Sequence, residues 1–502
     1  MKKCLISTLS LFTAIIMLFT GCQKYDIVDH KTENTLQNEE ITSFDEDTSV
    51  FVSYDDLEEG LSASEEDTEE ESSAFSKNPT KSNSSLNKNQ SKISGSSNNS
   101  KYASTTSANI SSKKSSSSKK PASSSKVSST TPSIPNESSS GYYYSTIKGV
   151  WLTQFNLSSA MQQSGSASTF RTKIAAIYKK IKDFGFNTVV VQLRPNGDAF
   201  YPSAYFPWSR YCTGTVGKNP GFDITKIMLE EAHKKKLSFH AWFNPLRLET
   251  VENMKKTSSS FQTKKWYSAK NGRVVTYNGY CYLNPAYSEV RTFIVNGAKE
   301  IAIKYKVDAL HIDDYFYPTT ASSFDSAAFK AQDKYSNLGN FRRSNINKLV
   351  KGLYKNIKSV KGSLKFGISP AGNINNNYSS LYADVEKWGS NYGYMDYCMP
   401  QIYFGYKHNT LDYLKCLNQW KNIITSSSVD LCIGLAAYKI GYASDGGSSE
   451  WKTNTNILKN QVTDAKNKLG AKYGGFCVFD YDSLFSTASL NTKFRNNLKK
   501  VM

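Results

Sequence analysis

Eight times between Ile147 and Val501 a short apolar run, rich in β-branched and aromatic residues, is followed by an amphipathic stretch of helical period. That alternation constrains the fold more than any other feature, because parallel strands need a crossover of helical size between them. The strands are read at 147–154, 187–194, 237–243, 307–312, 364–369, 394–404, 431–437 and 475–479. The intervening helices are read at 170–184, 224–235, 287–305, 342–358, 380–388, 411–424, 457–469 and 492–501. Eight such units in about 360 residues predict the α/β class and a (β/α)8 TIM barrel with long insertions after strands. A doubly wound sheet would carry a glycine-rich phosphate turn after its first strand, and none is present.

In a barrel, polar side chains delivered at the strand ends meet at one mouth. Here the second strand ends in Arg194, Asn196 and Asp198, the third in His240, Asn244 and Arg247, the sixth in Gln401 and Tyr403. The fourth is the most informative. It runs Val307-Asp-Ala-Leu-His-Ile-Asp-Asp-Tyr-Phe-Tyr-Pro, an apolar run closing in two acids, three aromatics and a proline stop. Asp313 and Asp314 are read as a working pair; the alternative is that one of them caps the next segment.

The first 140 residues do not belong to this pattern. Lys2 and Lys3, an apolar run to Phe19 and Thr20-Gly21-Cys22 read as an export signal ending in a lipobox, with Cys22 as the acylated residue. Residues 23–72 hold 18 Asp and Glu against two Lys, and residues 73–141 turn to Ser, Lys, Asn and Thr with hardly an aromatic. Such composition cannot bury a core. The expected organisation is a lipoprotein signal at 1–22, a disordered tether at 23–142 and a catalytic head at 143–502. The tether would span on the order of 60 Å as a coil. Anchored through Cys22 to the outer face of the cell membrane, a monomeric head would then reach into a thick wall.

The whole chain carries a formal charge of +19. For an exported protein the excess does not point to nucleic acid; it reads as a solvated surface with weak affinity for anionic envelope polymers. Cys398, Cys432 and Cys477 lie in predicted core strands, and no C-x-x-C spacing suggests zinc or a redox pair. Cys212 and Cys281 fall in predicted loops at one mouth, where a disulfide between them is an option.

Gly149-Val-Trp-Leu-Thr, Val191-Gln-Leu-Arg-Pro-Asn-Gly-Asp-Ala-Phe-Tyr-Pro-Ser, His240-Ala-Trp-Phe-Asn-Pro-Leu-Arg, His311-Ile-Asp-Asp-Tyr-Phe-Tyr-Pro, Phe341-Arg-Arg-Ser-Asn-Ile-Asn and Pro400-Gln-Ile-Tyr stand in this order. With Pro207-Trp-Ser, Phe222-Asp-Ile and Glu231-Ala-His, they resemble the bacterial glycosyl-hydrolase-like family ten barrels over nearly all of residues 147–485. The resemblance implies an exported or lipid-anchored glycoside hydrolase acting on cell-wall glycan; no cofactor is expected.

Glycoside cleavage uses two carboxyl groups, one protonated and one ionised. The pattern Asp308-x-x-His311-x-Asp313 is similar to that of retaining α-glucanase-type barrels, whose nucleophile matches Asp313, with His311 where those carry Arg. It also resembles the chitinase strand, but the acid Glu of that family falls on Tyr315. Asp313 is therefore the expected ionised partner. Asp314 is a candidate acid if the backbone turns at the mouth, and Asp198 is a second candidate, or else a loop-stabilising residue. Arg194, Asn244, Arg247 and Gln401 suit sugar hydroxyls or a substrate carboxylate, unless the arginines merely pair with the acids. Trp208, Tyr315, Tyr317 and Tyr403 are read as stacking platforms, and Trp242 as core. Glu230 and Glu231 are read as solvated. His240 and His311 border the acids, yet two separated histidines are more often core residues than metal ligands, and no metal is expected. Two other readings stand beside hydrolysis of glycan: a barrel that binds carbohydrate without turnover, and a metal-assisted hydrolase. Whether anomeric configuration is retained or inverted depends on the separation of the carboxyls.

Overall fold

The computed structural model describes residues 142–502 apart from residue 163. The expected signal, Cys22 and nearly all of the tether lie outside the described residues. Among the described residues eleven strands run in chain order: β1 Ile147–Leu152, β2 Thr188–Arg194, β3 Ser238–Phe243, β4 Arg247–Thr250, β5 Val274–Tyr277, β6 Tyr280–Leu283, β7 Ala309–Ile312, β8 Lys365–Ile368, β9 Tyr397–Cys398, β10 Asp430–Ala436 and β11 Tyr473–Phe479. Eight of them close in the order β1-β11-β10-β9-β8-β7-β3-β2, every pair parallel, which is a (β/α)8 barrel. The other three, β4, β5 and β6, form a small antiparallel sheet inserted between β3 and β7.

Local chemistry explains the wall. The long helix of the first crossover, Ala167–Phe184, opens on Ser166, whose hydroxyl accepts from the Thr169 N–H, and closes on Gly185 in the left-handed region at φ 111°. Between these caps Phe170, Ile174, Tyr178 and Ile181 form the buried stripe that lies on the sheet. Asp223 caps the next helix, as its position before Ile224 suggests.

The lumen is filled by side chains. Trp151, Val190, Trp242, Tyr397, Met399, Cys432 and Cys477 make a buried cluster of their own. Tyr397 fits because β8 presents Gly367, where an added Cβ would lie 1.9 Å from the tyrosine ring. Below it the ring of Tyr143 stacks on His240 with centroids 5.8 Å apart, and the Tyr142 N–H donates to Asp308 at 2.7 Å. The end of the barrel opposite the mouth is thereby stoppered.

Some expectations are corrected. The sixth strand is two residues long instead of eleven, because Pro400 offers no N–H to the ladder and the chain turns at Ile402. The fifth crossover is split between Ile374–Ser379 and Val385–Ser390. Cys212 and Cys281 are both free and buried, so no disulfide joins them. Glu231 is buried, held by Arg171 and Lys234 at 2.7 Å each.

Candidate active site

β7 ends at Ile312, and the two acids that follow diverge. Asp313 turns toward β3: its Oδ2 accepts from the indole N–H of Trp242 at 2.9 Å and from the Asn244 amide at 3.0 Å. Its Oδ1 takes the Tyr315 N–H at 3.3 Å. Asp314 turns the other way and is hydrogen-bonded to the side chain of Gln401, which itself donates to the Ser369 carbonyl at 3.0 Å. Strand parity would have sent Asp314 outward; the chain leaves the strand at Ile312, and the bend that follows brings it to the mouth.

Both carboxyls are nearly sealed from water, at 3% and 5% exposure. Burial pushes Asp313 up to about 7, against the pull of the Trp242 indole, the Tyr315 N–H and the Arg247 charge. Burial likewise pushes Asp314 up to about 6, against its bond to Gln401. Two carboxyls that change charge near neutral pH are what acid–base work on a glycoside needs.

Around them the rim is aromatic and basic. The guanidinium of Arg247 lies 5.1 Å from the Tyr315 ring and 5.6 Å from that of Tyr280. Tyr403 packs on Tyr438 and Phe479, with centroids 5.6 and 5.9 Å apart. Behind Asp313 a further amide, Gln192 of β2, donates to Asn244 Oδ1 at 3.0 Å.

Residues 146–452 match the family model described as glycosyl hydrolase-like 10. The chain belongs to that family. The glycosyl hydrolase YngK of Bacillus subtilis (strain 168) is 37% identical over 319 residues, 59% of this chain and 61% of that protein. This chain thus spans less than two thirds of YngK. The glycosyl hydrolase DigH of Escherichia coli (strain K12) is 30% identical over 355 residues, 63% of this chain and 79% of DigH. Among solved structures, the glycoside hydrolase domain of PgaB from Bordetella bronchiseptica aligns at 11% identity and a TM-score of 0.47, over 70% of this chain and 99% of that one. That likeness is too distant to carry an argument.

For this glycosyl-hydrolase-like barrel, several residues expected at the rim are placed elsewhere. Arg194 is fully buried, its guanidinium 4.6 Å from the rings of both Phe206 and Phe243, with an N–H given to the Asn244 carbonyl. A register shift between Gln192 and Arg194 turns it out of the lumen. It braces Asn244 from behind. Burial presses its guanidinium down to about 10. Asp198 is fully buried as well; it accepts from the Asn196 N–H at 2.8 Å and is bonded to Ser209, so it holds its own loop. Tyr317 is 1% exposed and packs on Phe324 and Tyr382, which makes it core. Trp208 is half-buried and tied by a bridge to Ala199.

His240 and His311 face each other across the Tyr397 hydroxyl, at 2.9 and 3.1 Å from their Nδ1 atoms. Their other nitrogens lie 3.0 Å from Ser238 Oγ and 2.9 Å from Ser369 Oγ. Burial lowers both imidazoles, His240 to about 4, so both are neutral lumen residues beneath the acids. Among the described residues no group of three or more His, Cys, Asp or Glu is arranged to hold a metal ion. Sequence reasoning missed Trp242 as the donor to Asp313 and Gln192 as the support of Asn244. The register pairing of Gln192 with Trp242 gives the signal, but only once strands are aligned.

Proposed function

We propose that this protein is a glycoside hydrolase that cuts bacterial cell-wall glycan, with Asp313 as the ionised partner and Asp314 as the proton donor. The observation that carries the reading is the divergence of the two neighbouring carboxyls, one held by Trp242 and Asn244, the other by Gln401. Asp314 gives its proton to the leaving oxygen as the glycosidic bond breaks, Asp313 meets the positive charge growing at the anomeric carbon, and water then bonds to that carbon and returns a proton to the carboxyl pair. Two N–H donors on one oxygen of Asp313 favour its ionised form, but burial sets Asp313 at about 7, above Asp314 at about 6, so the working pair is the less populated of the two singly protonated states. Arg247 beside Tyr315 offers a charge and a flat face to a sugar that carries a carboxylate, as muramic acid does. Residues 142–502 hold 48 Lys and Arg against 24 Asp and Glu, a surface drawn to anionic wall polymers. In this reading the head is held at the outer face of the cell membrane through an acylated Cys22.

The test is hydrolysis by the purified chain of peptidoglycan sacculi, and of glycan strands stripped of stem peptides, beside Asp313→Asn. New reducing ends from the wild type alone are expected. Tight binding without new ends in either protein would instead make this a carbohydrate-binding barrel, and loss of activity to a chelator would make it a metal-assisted hydrolase.

A further inference from the structure

The two ends of an amide act in opposite ways on a carboxylate, so it matters which end of Asn244 faces Asp313. Asp313 does not decide this. Gln154 is the first residue of the helix Gln154–Gln162, where a backbone N–H has no intrahelical partner. A backbone N–H only donates, and this one is given to Gln192 Oε1 at 3.0 Å. With its carbonyl taken, Gln192 turns its NH2 to Asn244 Oδ1 at 3.0 Å. With its own carbonyl taken, Asn244 turns its NH2 to Asp313 Oδ2 at 3.0 Å. The Trp242 indole, again only a donor, reaches the same oxygen. Every link points toward the carboxyl, and bonds aligned head to tail strengthen one another in a buried setting.

We propose that Gln192 is a positioning residue. It passes the donor polarity of the Gln154 backbone through Asn244 to Oδ2 of Asp313 and so favours the ionised carboxyl, the form that acts on the sugar, over the protonated one. This rests on Asp313 being the ionised partner. Gln192 itself is 4% exposed, and it reaches the acid through Asn244.

Gln192→Met keeps the length of the side chain and removes its N–H. In the full-length chain, the 13C signal of the Asp313 carboxyl, identified by its loss in Asp313→Asn, is expected to titrate about one pH unit higher in this variant, a tenfold change in proton affinity. The acid limb of kcat/KM moves up with it, while KM stays nearly unchanged. Gln192→Glu is the conservative variant: while protonated, the introduced carboxyl offers the same acceptor and one donor. It is expected to regain wild-type behaviour at low pH and to lose it as that carboxyl ionises. An Asp313 titration unmoved in Gln192→Met overturns the proposal. Should that variant not fold, an Asp313 titration in Gln192→Leu identical to wild type does the same. If Asp313→Asn hydrolyses glycan as well as the wild type, the proposed function falls, but the titration still decides the role of Gln192.

Discussion

The indole N–H of Trp242 donates to Oδ2 of Asp313 across 2.9 Å, from one strand to the next inside the lumen. A lumen tryptophan is thereby tied to the proposed catalytic acid as well as to the packing. Trp242→Phe keeps a buried aromatic and removes only the donor. A hydrogen bond to a charged group is worth about 1.5–3 kcal/mol, so kcat/KM on stripped glycan strands is expected to fall roughly tenfold or more. The acid limb of its pH profile shifts upward, because the ionised carboxyl has lost a donor. A Trp242→Phe enzyme with wild-type kcat/KM would show that the bond does not matter to turnover.

Activity against pH follows from the same two groups. One carboxyl must be ionised and the other protonated, with Asp313 at about 7 and Asp314 at about 6. Hydrolysis is expected to be bell-shaped with its maximum between pH 6 and pH 7. Either assignment of acid and base gives the same bell, so the curve tests the pair and single variants test the roles. Asp314→Asn should flatten the alkaline limb. Rates that rise steadily from pH 5 to pH 9 would contradict the paired-acid scheme.

The barrel was legible because each of its strands is a separate apolar run, and the acids because a barrel delivers them at strand ends. What was not legible depends on departures from regular geometry. The shift after Gln192 withdraws Arg194 from the rim, and the bend after Ile312 turns Asp314 into it. Tyr317 reads as a platform until Arg342, stacked 5.0 Å from its ring, shows it to be under a loop. Gln192 sits in a run that reads as plain core, and nothing local to it announces Gln154 or Asn244 as partners. The β4–β6 sheet lies in the long stretch between the third strand and its helix, where the short paired runs are masked by the polar residues around them.

A buried acid has a stability cost that its removal should reveal. Asp313 holds its proton to about pH 7 in the folded state, against the ordinary 3.8 of an exposed Asp. Between those values the folded state carries the additional proton, so stability falls as pH rises through the window and the cost is complete above about 7. Asp313→Asn, neutral and of the same shape, is expected to raise unfolding free energy by on the order of 2–4 kcal/mol at pH 8 and by little at pH 4. Urea unfolding at the two pH values measures it. A gain of equal size at both would mean that ionisation of Asp313 is not its source.

Arg342 and Asp325 are both wholly buried and meet at 2.7 Å. The guanidinium also donates to the carbonyls of Thr319, Thr320 and Ala321 and to the Tyr382 hydroxyl, so one side chain fixes the loop that leaves the acid-bearing strand. Arg342→Leu would strand the Asp325 carboxylate without its counter-charge and leave three carbonyls short of a donor. Breaking such a pair from one side costs about 3–5 kcal/mol. Because the loss comes chiefly from the abandoned charge, Arg342→Leu combined with Asp325→Leu should recover part of it, while neither single change does. Urea unfolding of the three variants reads the coupling directly. A double variant no more stable than Arg342→Leu would place the cost in the lost carbonyl bonds, and a single variant within 1 kcal/mol of wild type, about a fivefold change in the folding constant, would mean that this loop is held by something other than Arg342.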